Sequence, residues 1–324
     1  MADPAPVLVL GAAGFFGLAI VRALTADGTA VVACDRVEPA EFIPREGSRR
    51  ELLSYVRRDL TVEPFSDLVA EASGVVHAAA LTPPDEVSGD TAERLLRINL
   101  ESLLALLSAA RANDCPRILF VSSAGVYDQR ADKALAETDA DGGTSLYGAA
   151  KLAAEIVGCR YCSLTGLDFG AVRPTSLFGA GEVERPSRPR VTAFAQLVMA
   201  AHRGESVRIV RPEARTDWLC VDDAAEAVVL LWRAERLGGR VYNLSSARPR
   251  RFGEVVNEVA AATGLVLDDH SSTVVDGGVD RAAMIDNREL RSAVGWQPRR
   301  TPGEVARTLL DAEWSGPRER GAVA

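Results

Sequence analysis

A glycine-rich loop between an apolar strand and a helix is the feature that most constrains the fold of this chain. The segment VLVLGAAGFFGLAIVRAL (7–24) places Gly11, Gly14 and Gly17 at the junction, with the spacing G-x-x-G-x-x-G. Glycines there permit a tight turn, a close approach of backbone N–H groups to a pyrophosphate, and close packing of the helix on the strand. The helix N-terminus also favours negative charge. The loop therefore predicts a dinucleotide site at the start of a parallel sheet.

An acidic residue ends the next apolar run. Asp35 in AVVACDR (30–36) stands where a carboxylate accepts hydrogen bonds from an adenosine ribose and repels a 2′-phosphate. This favours NAD over NADP as the cofactor. Arg36 works against that preference, because an adjacent guanidinium can bind the phosphate. The alternative is that Asp35 is only a turn residue at a strand end.

Short apolar runs alternate with helical patterns through the first half of the chain. After the first strand they lie at 30–35, 74–80, 117–123 and 167–174, with helical patterns between several of them. This alternation is typical of a parallel sheet with helices on both faces. We therefore predict an α/β fold, a Rossmann-type doubly wound parallel sheet with a smaller C-terminal α/β substrate-binding region.

The loop GAGEVERPSRPR interrupts this alternation and marks a second region. We assign 1–178 to an NAD-binding Rossmann domain to which 207–245 also contributes elements. Residues 179–206 and 246–324 are assigned to the substrate-binding region. The two parts are expected to share elements rather than to form separate domains on a linker.

Composition limits the partners that we expect. The 324 residues carry a net charge of -8, which argues against a general affinity for nucleic acid or an anionic membrane. No run of about 18 apolar residues predicts a membrane span, and a cytoplasmic location is expected. The five cysteines, an odd number, predict reduced thiols. Cys159 and Cys162 are interpreted as helix packing, and no metal site is predicted.

A tyrosine and a lysine stand one helical turn apart in TSLYGAAKLAAE (144–155). Positions i and i+4 project to one helix face, so Tyr147 and Lys151 can address one ligand. An ordinary tyrosine has a pKa of about 10, and a nearby ammonium favours the phenolate. The spacing is common by chance, however, and carries little weight alone.

The segment RILFVSSAGVYD (117–128) gives the pair its context. The carboxyl ends of parallel strands line the ligand crevice, so Ser122 and Ser123 are expected near the nicotinamide. A serine hydroxyl there can both donate to and accept from a reacting carbinol or carbonyl.

With these motifs the chain resembles the extended short-chain dehydrogenases/reductases, also called the NAD-dependent epimerase/dehydratase family. The resemblance covers nearly the whole chain. The matching segments are GAAGFFG, CDR, RRDL, VVHAAA, RINLESLLALLSAA, FVSSAGVY, YGAAK, VRPTSLFG, RTDWLCVDDAA and VYNLSS.

The resemblance implies a role for each matching residue. Tyr147 would be the acid/base, Lys151 would hold the nicotinamide ribose and lower the pKa of Tyr147, and Ser123 would orient the reacting oxygen. His77 is expected to be structural. The remaining residues implied to bind or support the cofactor are Gly11, Gly14, Phe15, Phe16, Gly17, Asp35, Arg36, Asp59, Leu60, Ala78, Ala79, Ala80, Asn99 and Pro174.

Two small residues narrow the reaction that the resemblance implies. The sugar-nucleotide 4,6-dehydratases of the family carry an Asp-Glu pair after the catalytic hydroxyl residue, and here those positions hold Ala124 and Gly125. Dehydration and decarboxylation are therefore disfavoured as the reaction. Net oxidation or reduction, and epimerisation by transient oxidation, both remain, because Ser123, Tyr147 and Lys151 serve either.

Two segments that are expected to bind the substrate depart from the family pattern. VRPTSLFG has no asparagine after its strand, and in RTDW the arginine position holds Thr216, with Arg215 displaced by one residue. Arginines of the loop at 179–190 can bind a carboxylate or phosphate, although a solvated loop is the alternative. The substrate-binding residues predicted are Thr82, Ser123, Thr175, Arg185, Arg190 and Arg215.

These expectations combine into one leading function and two alternatives. The leading one is an NAD-dependent oxidoreductase that transfers hydride at a carbinol or ketone of a sugar-like, anionic small molecule. The first alternative is a nucleotide-sugar 4-epimerase with tightly bound NAD, and the second is a non-catalytic dinucleotide-binding regulator. A homodimer, paired through the helices near 99–113 and 146–161, is expected by resemblance.

Overall fold

The fold is described from a computed structural model, which covers residues 5–42, 44, 47–82, 89–129, 133–182 and 191–312. In chain order the strands are β1 (Val7–Leu10), β2 (Val31–Asp35), β3 (Leu53–Arg57), β4 (Gly74–His77), β5 (Arg117–Val121), β6 (Ala134–Leu135), β7 (Asp168–Pro174), β8 (Ser176–Phe178), β9 (Ser206–Val210), β10 (Arg215–Cys220), β11 (Arg240–Leu244), β12 (Pro249–Arg251), β13 (Val266–Leu267), β14 (Val274–Asp276) and β15 (Met284–Ile285). The α-helices are α1 (Phe15–Ala26), α2 (Ser66–Ala70), α3 (Gly89–Leu96), α4 (Ser102–Ala112), α5 (Leu146–Thr165), α6 (Ala193–Arg203), α7 (Val221–Arg233), α8 (Phe252–Thr263), α9 (Arg288–Val294) and α10 (Pro302–Asp311).

The main sheet has seven parallel strands in the order β11-β7-β5-β4-β1-β2-β3. The strand order reverses between β1 and β4, so the crevice at their carboxyl ends is a topological switch point. Both strands are buried along their whole length, as expected for strands that helices cover on both faces. The predicted Rossmann-type doubly wound sheet is confirmed.

Strand β3 was not predicted from the sequence. Its residues, LSYVR, include an arginine and a serine and are mostly half-buried or exposed. An edge strand has only one neighbour, β2 in this case, so it does not need the continuous apolar run that marks a central strand. The hydrophobic periodicity of the sequence therefore does not predict β3.

Helices cover the two faces of the main sheet with separate cores. On one face α1 packs against α7, and Ile20 and Val228 are fully buried there. On the other face α2, α4 and α5 bury Leu106, Phe120 and Phe169. Full burial of such a side chain contributes about 1.5–3 kcal/mol, so both faces hold the sheet rigidly behind the crevice.

A third core lies in the C-terminal part of the chain. Small sheets in the orders β12-β10-β8 and β13-β9-β14 pack with α6, α8 and α10 around Phe178, Phe194 and Phe252. Of residues 207–245, which are predicted to contribute elements to the Rossmann domain, β11 joins the main sheet and α7 packs on α1. Strands β9 and β10 belong to the small sheets, because a short apolar run does not reveal its pairing partner.

Candidate active site

A cavity of about 3070 Å³ lies at the carboxyl ends of the central strands. It is lined by the glycine loop after β1, by the residues that follow β4 and β5, and by the end of β7. Ligands of doubly wound sheets bind at this edge. The volume is several times that of a pocket for one small ligand, which is typically 300–1,000 Å³.

The glycine loop forms a cradle that side chains would fill. Gly11 has a φ of +78°, and a Cβ at this position would lie 2.4 Å from the Cα of Ala79. Only glycine tolerates both the left-handed backbone and this close approach. The loop therefore lies directly against the exit of β4, and Gly11, Gly14 and Gly17 line the cavity.

Asp35 is held in place by backbone donors at the end of β2. Its carboxylate accepts from the N–H of Ala13 at 3.0 Å and from that of Arg36 at 2.8 Å. The carboxylate lines the cavity next to the glycine loop, where further lone pairs are available to ribose hydroxyls. The cradle and this carboxylate fit the pyrophosphate and adenosine ribose of NAD.

Nearly all residues predicted to contact the cofactor line this one cavity. Those that do are Gly11, Gly14, Phe15, Phe16, Gly17, Asp35, Arg36, Asp59, Leu60, Ala78, Ala79, Ala80, Tyr147, Lys151 and Pro174. Asn99 is the exception, because it does not line the cavity. It is buried in a π-helical turn, Arg97–Glu101, and its amide donates to the carbonyls of Leu81 and Leu95. It supports the segment after β4 rather than lining the cavity.

Ser123 and Tyr147 are brought together around Gly125. The Oγ of Ser123 accepts from the N–H of Gly125 at 3.0 Å and caps a 3₁₀ turn at Ala124–Val126. A Cβ at Gly125 would lie 3.3 Å from the Oγ of Ser123 and 3.5 Å from the ring of Tyr147. Both side chains thus face the same small volume, and the Ser123 hydroxyl keeps its proton to donate.

The start of α5 rests directly on that turn. A Cβ at Gly148 would lie 2.2 Å from the carbonyl oxygen of Gly125, so only glycine permits the contact. The Oγ of Ser145 accepts from the N–H of Gly148 and caps the helix. These two local contacts fix Tyr147, in the first turn of α5, beside Ser123.

Lys151 is fully buried one turn further along α5. Its Nζ donates to the carbonyl of Val121 at 2.9 Å and lies 4.7 Å from the ring centre of Phe120 and 5.9 Å from that of Tyr147. Burial lowers the pKa of Lys151 to about 7, while the charge of Glu155 acts in the opposite direction. A poorly solvated ammonium this close to Tyr147 favours its phenolate.

A buried ion pair anchors α5 to β7 behind Lys151. The guanidinium of Arg173 donates to both carboxylate oxygens of Glu155, with its Nε 2.9 Å from Oε1, and also to the hydroxyl of Tyr127. The Arg173 and Glu155 side chains are only 4% and 2% exposed. Because Glu155 lies one turn after Lys151, the pair holds the helix face that carries the lysine.

His77 is buried at the end of β4 and belongs to the framework. Its Nε2 lies 2.9 Å from the Oγ of Ser102. Burial, with a further contribution from the charge of Lys151, lowers the pKa of His77 to about 3. The imidazole is therefore neutral near pH 7, which fits the structural role expected from the sequence.

The substrate end of the cavity agrees only partly with the prediction. Thr82 and Thr175 line the cavity together with Ser123, and the Thr175 hydroxyl donates to buried Asp217 at 2.8 Å. Arg215 does not line it, because its guanidinium binds Asp280, with Nη2 3.0 Å from the carboxylate. The Arg215 prediction is corrected accordingly. Arg185 and Arg190 lie outside the described residues.

Several residues that line the cavity are not predicted from the sequence, and Gln129 and Arg281 are two of them. The side-chain amide of Gln129 donates to the carbonyl of Ala124 at 2.7 Å, and Arg281 lines the cavity from the segment before β15. Neither belongs to a motif of the resemblance, and the backbone hydrogen bonds that place them, from Ala283 to Gln129 and from Arg281 to Arg215, link distant parts of the chain. In the part of the chain that the structure covers, no helix combines the length and apolar character needed to cross a bilayer.

The family model, the related sequences and the related structures all indicate the same class of enzyme. The model of the NAD dependent epimerase/dehydratase family matches residues 7–245. A UDP-glucose 4-epimerase from Mycolicibacterium smegmatis is 27% identical over 309 residues, covering 93% of this chain and 96% of the relative. A dTDP-glucose 4,6-dehydratase from Streptomyces niveus is 26% identical over 303 residues, covering 90% of this chain and 88% of the relative.

Among solved structures, MoeE5 in complex with UDP-glucuronic acid and NAD is similar over almost its whole length. The TM-score is 0.78 at 30% sequence identity, covering 94% of this chain and 98% of MoeE5. Fold, cavity and relatives together define an NAD-dependent enzyme with a Rossmann-type sheet. The chain belongs to the NAD dependent epimerase/dehydratase family. The predicted family, enzyme class and cofactor are confirmed.

Proposed function

We propose that the protein transfers hydride at a carbinol of an anionic, nucleotide-linked sugar, with epimerisation of that carbinol as the net result. The observation that carries the proposal is the cavity, which joins the glycine loop, the Ser123–Tyr147–Lys151 group and the substrate end in one space of about 3070 Å³. This volume suits a dinucleotide together with a second large ligand. MoeE5, the 30% identical neighbour, is a complex with UDP-glucuronic acid and NAD.

The chain's own residues supply acid/base chemistry and orientation. Bound NAD provides the hydride acceptor. Ser123, whose Oγ already accepts from the N–H of Gly125, keeps its proton and donates a hydrogen bond to the reacting substrate oxygen. Tyr147 removes the proton from the carbinol hydroxyl as the carbonyl forms and returns it when the carbonyl is reduced. Lys151 stabilises the phenolate of Tyr147 through its charge.

Epimerisation as the net result is supported by the relatives and by the small residues beside Ser123. UDP-glucose 4-epimerase of M. smegmatis matches 93% of the chain. Dehydration is disfavoured because Ala124 and Gly125 offer no further acid or base next to the reacting oxygen. An epimerase must reduce the ketone on its opposite face, so the sugar has to turn within the cavity.

A net dehydrogenase acting on a sugar acid is the second candidate. It is favoured by the substrate end, where Arg215 is bound to Asp280 and Thr216 stands in the family's arginine position. A chain that lacks this arginine is less clearly adapted to a sugar diphosphate. The two candidates use the same Ser123, Tyr147 and Lys151.

We further propose a homodimer that pairs through α4 and α5. Apolar side chains stand exposed on these helices, with Leu104 40%, Ile156 55% and Leu164 85% accessible. Exposed apolar side chains concentrated on neighbouring helices indicate a protein contact. Light scattering on the wild type and on Ile156→Glu tests this, because the substitution should convert a dimer into monomers.

A cytoplasmic location is also proposed, in keeping with five free thiols.

One experiment separates the candidate functions. The purified protein is denatured to identify the released nucleotide, and intact protein is incubated with UDP-glucuronic acid, UDP-glucose or free glucuronic acid. An epimerase converts a UDP-sugar to its C4 epimer, which chromatography detects. The absorbance at 340 nm then shows no NADH accumulating in proportion to the sugar converted. NADH accumulation with glucuronic acid alone would support the second candidate. Retention of NAD without turnover of any of the three would contradict both.

A further inference from the structure

A cluster of three charged side chains is buried where α5 packs on the main sheet. Lys151 and Glu155 stand one turn apart on α5, and Arg173 lies on β7, which packs against that helix. A lysine and a glutamate four residues apart on a helix can form an ion pair with each other. The cation that binds the Glu155 carboxylate therefore decides how much of the Lys151 charge remains for Tyr147.

The Glu155 carboxylate is bound by Arg173. The Nε of Arg173 lies 2.9 Å from one carboxylate oxygen and 3.2 Å from the other, and Nη2 donates as well. The Nζ of Lys151 instead donates to the carbonyl of Val121 at 2.9 Å. Among the residues that the structure describes, Lys151 and Glu155 form no ion pair with each other. The lysine thus has no direct counter-ion on its own helix.

The guanidinium of Arg173 is held on Glu155 by its other contacts. Its Nη1 donates to the hydroxyl of Tyr127 and, at 2.8 Å, to the backbone carbonyl of Glu137. The Tyr127 hydroxyl donates in turn to the side-chain carbonyl of Asn243 at 2.7 Å. All three nitrogens of the guanidinium are therefore bonded, and Arg173 cannot turn away from Glu155 without losing contacts to two other segments.

The effect of this arrangement on Tyr147 is electrostatic. The Nζ of Lys151 lies 5.9 Å from the ring centre of Tyr147, and a charge at such a distance shifts the ionisation of its neighbour when burial keeps water away. A Glu155 carboxylate without a cation of its own would offset the ammonium and disfavour the phenolate. Because Arg173 neutralises that carboxylate, the Lys151 ammonium acts on Tyr147 without this opposition.

Three further ionisable groups surround this cluster from neighbouring segments. Burial lowers the pKa of His77 to about 3 and raises that of Tyr127 to about 12, so both side chains are neutral near pH 7. Burial also raises the pKa of Glu137, whose carboxylate accepts from the N–H of Asn243 at 2.8 Å. None of these three supplies a cation to Glu155.

The remaining groups that face this region are two arginines and a thiol. Arg94 and Arg97 line the cavity from α3 and the π-helical turn. Burial raises the pKa of the Cys159 thiol, one turn after Glu155 on α5, to about 11. Within the described part of the chain, Arg173 is the cation that is bonded to Glu155.

We propose that Arg173 is a positioning residue for the acid/base chemistry, because by binding Glu155 it leaves the charge of Lys151 to act on Tyr147. This inference rests on the proposed function, in which Tyr147 is the acid/base. Arg173 does not line the cavity and acts through Glu155 and Lys151.

Titration of the tyrosinate absorbance of the NAD-loaded full chain tests the proposal. Subtracting the curve of the matching protein that also carries Tyr147→Phe isolates Tyr147. Arg173→Gln removes the charge but keeps an amide donor for Glu155, so the titration midpoint of Tyr147 should rise by about 1 pH unit. Arg173→Met is a second neutral replacement, and either folded variant decides the question. In Arg173→Lys, which keeps the charge, the rise should be less than half as large.

Two further variants separate this effect from damage to the fold. Glu155→Gln/Arg173→Met removes the carboxylate together with its cation, so the midpoint of Tyr147 should return close to the wild-type value. Arg117→Met is the matched control, because it breaks a mostly buried pair with Asp168 at the amino ends of β5 and β7. It should leave the midpoint unchanged.

An unchanged midpoint in folded Arg173→Gln or Arg173→Met would overturn the proposal. A rise in the double variant or in Arg117→Met as large as in the single Arg173 variants would do the same, because the shift would then come from altered packing. So would a wild-type Tyr147 that titrates at the ordinary value of about 10.

The outcome does not depend on the identity of the substrate. Thermal melting identifies any variant that does not fold, and excess NAD favours the folded state of the others. If no UDP-sugar is turned over, the proposed function fails, while the midpoints measured without substrate still decide the role of Arg173.

Discussion

The cofactor end and the substrate end of the cavity are built by different kinds of contact. At the cofactor end, the partners are close in sequence or lie on adjacent strands, as in the bond from the N–H of Arg36 to Asp35. At the substrate end, Thr175 reaches Asp217 and Arg215 reaches Asp280. The first end is specified by local motifs and the second by how two sheets and a loop come together.

The charged pairs of the two ends also differ in burial. Behind the catalytic helix, the Arg173 and Glu155 side chains are 4% and 2% exposed, whereas those of Arg215 and Asp280 are 36% and 51% exposed. A buried pair is strongly coupled to the fold, and an exposed pair is screened by water and salt. The comparison predicts a rigid catalytic end and a substrate end that tolerates change.

The largest effect is expected at Tyr147. In Tyr147→Phe the phenolic proton carrier is lost while the ring that packs beside Gly125 remains. General acid/base catalysis contributes about 10²- to 10⁴-fold, so turnover of the identified substrate should fall by that factor with little change in NAD content. Tyr161→Phe, on the same helix, should keep wild-type turnover. Full activity of Tyr147→Phe would remove Tyr147 from the mechanism.

The buried pair should give the largest loss of stability. Glu155→Gln leaves Arg173 as an uncompensated buried charge, and breaking such a pair costs about 3–5 kcal/mol of unfolding free energy. Urea denaturation of the apoprotein measures it. The double variant Glu155→Gln/Arg173→Met removes both charges and should recover most of the loss. A loss below about 1 kcal/mol in the single variant would make the catalytic end no more rigid than the substrate end.

Local chemistry explains why the cofactor end was predictable. Gly11 is required by a left-handed backbone and by contact with Ala79, and both demands follow from one short strand–loop–helix segment. The Tyr147–Lys151 spacing follows from the period of α5. The glycines, the acid at the end of β2 and the helix could therefore be located without knowledge of the rest of the fold.

The substrate end lacked such local signals. Arg215 is held by Asp280, and the pairing of β10 with β8 and β12 brings together segments far apart in sequence. The edge strand β3 and the sheet to which β9 belongs are not predicted from the sequence, because sheet pairing is non-local. The role of Asn99 stays a prediction, because its burial and its bond to Leu81 depend on a tertiary contact that the sequence does not show.

The protonation of Lys151 should make stability depend on pH. Its pKa is about 7 in the folded protein against an ordinary value of 10.5, so between these values the unfolded chain binds more protons. Stability therefore rises with pH across this window, by up to about 1.4 kcal/mol per unit, and is lost as the pH falls towards 7. Urea denaturation at pH 7.5, 8.5 and 9.5 should show this slope relative to Lys151→Met. Lys133→Met, at the other lysine of the chain, should retain the wild-type slope, and identical slopes in all three proteins would contradict the buried ammonium.

The smallest effect is expected at the exposed pair of the substrate end. Asp280→Asn can keep an acceptor for the backbone N–H of Arg215, but it removes the charge and one of the two oxygens that accept from the Arg215 guanidinium. An exposed pair of this kind contributes about 0–1 kcal/mol. Bonds from the Arg215 side chain and backbone lower the pKa of Asp280, so this small stabilisation is present above the ordinary carboxylate pKa and disappears as the pH falls through the folded value. Urea denaturation at pH 7 and pH 3, with and without added salt, should therefore show a difference only at pH 7 and low salt. A loss above about 3 kcal/mol would mean that the substrate end is coupled to the fold as tightly as Glu155 and Arg173, and the contrast between the two ends would fail.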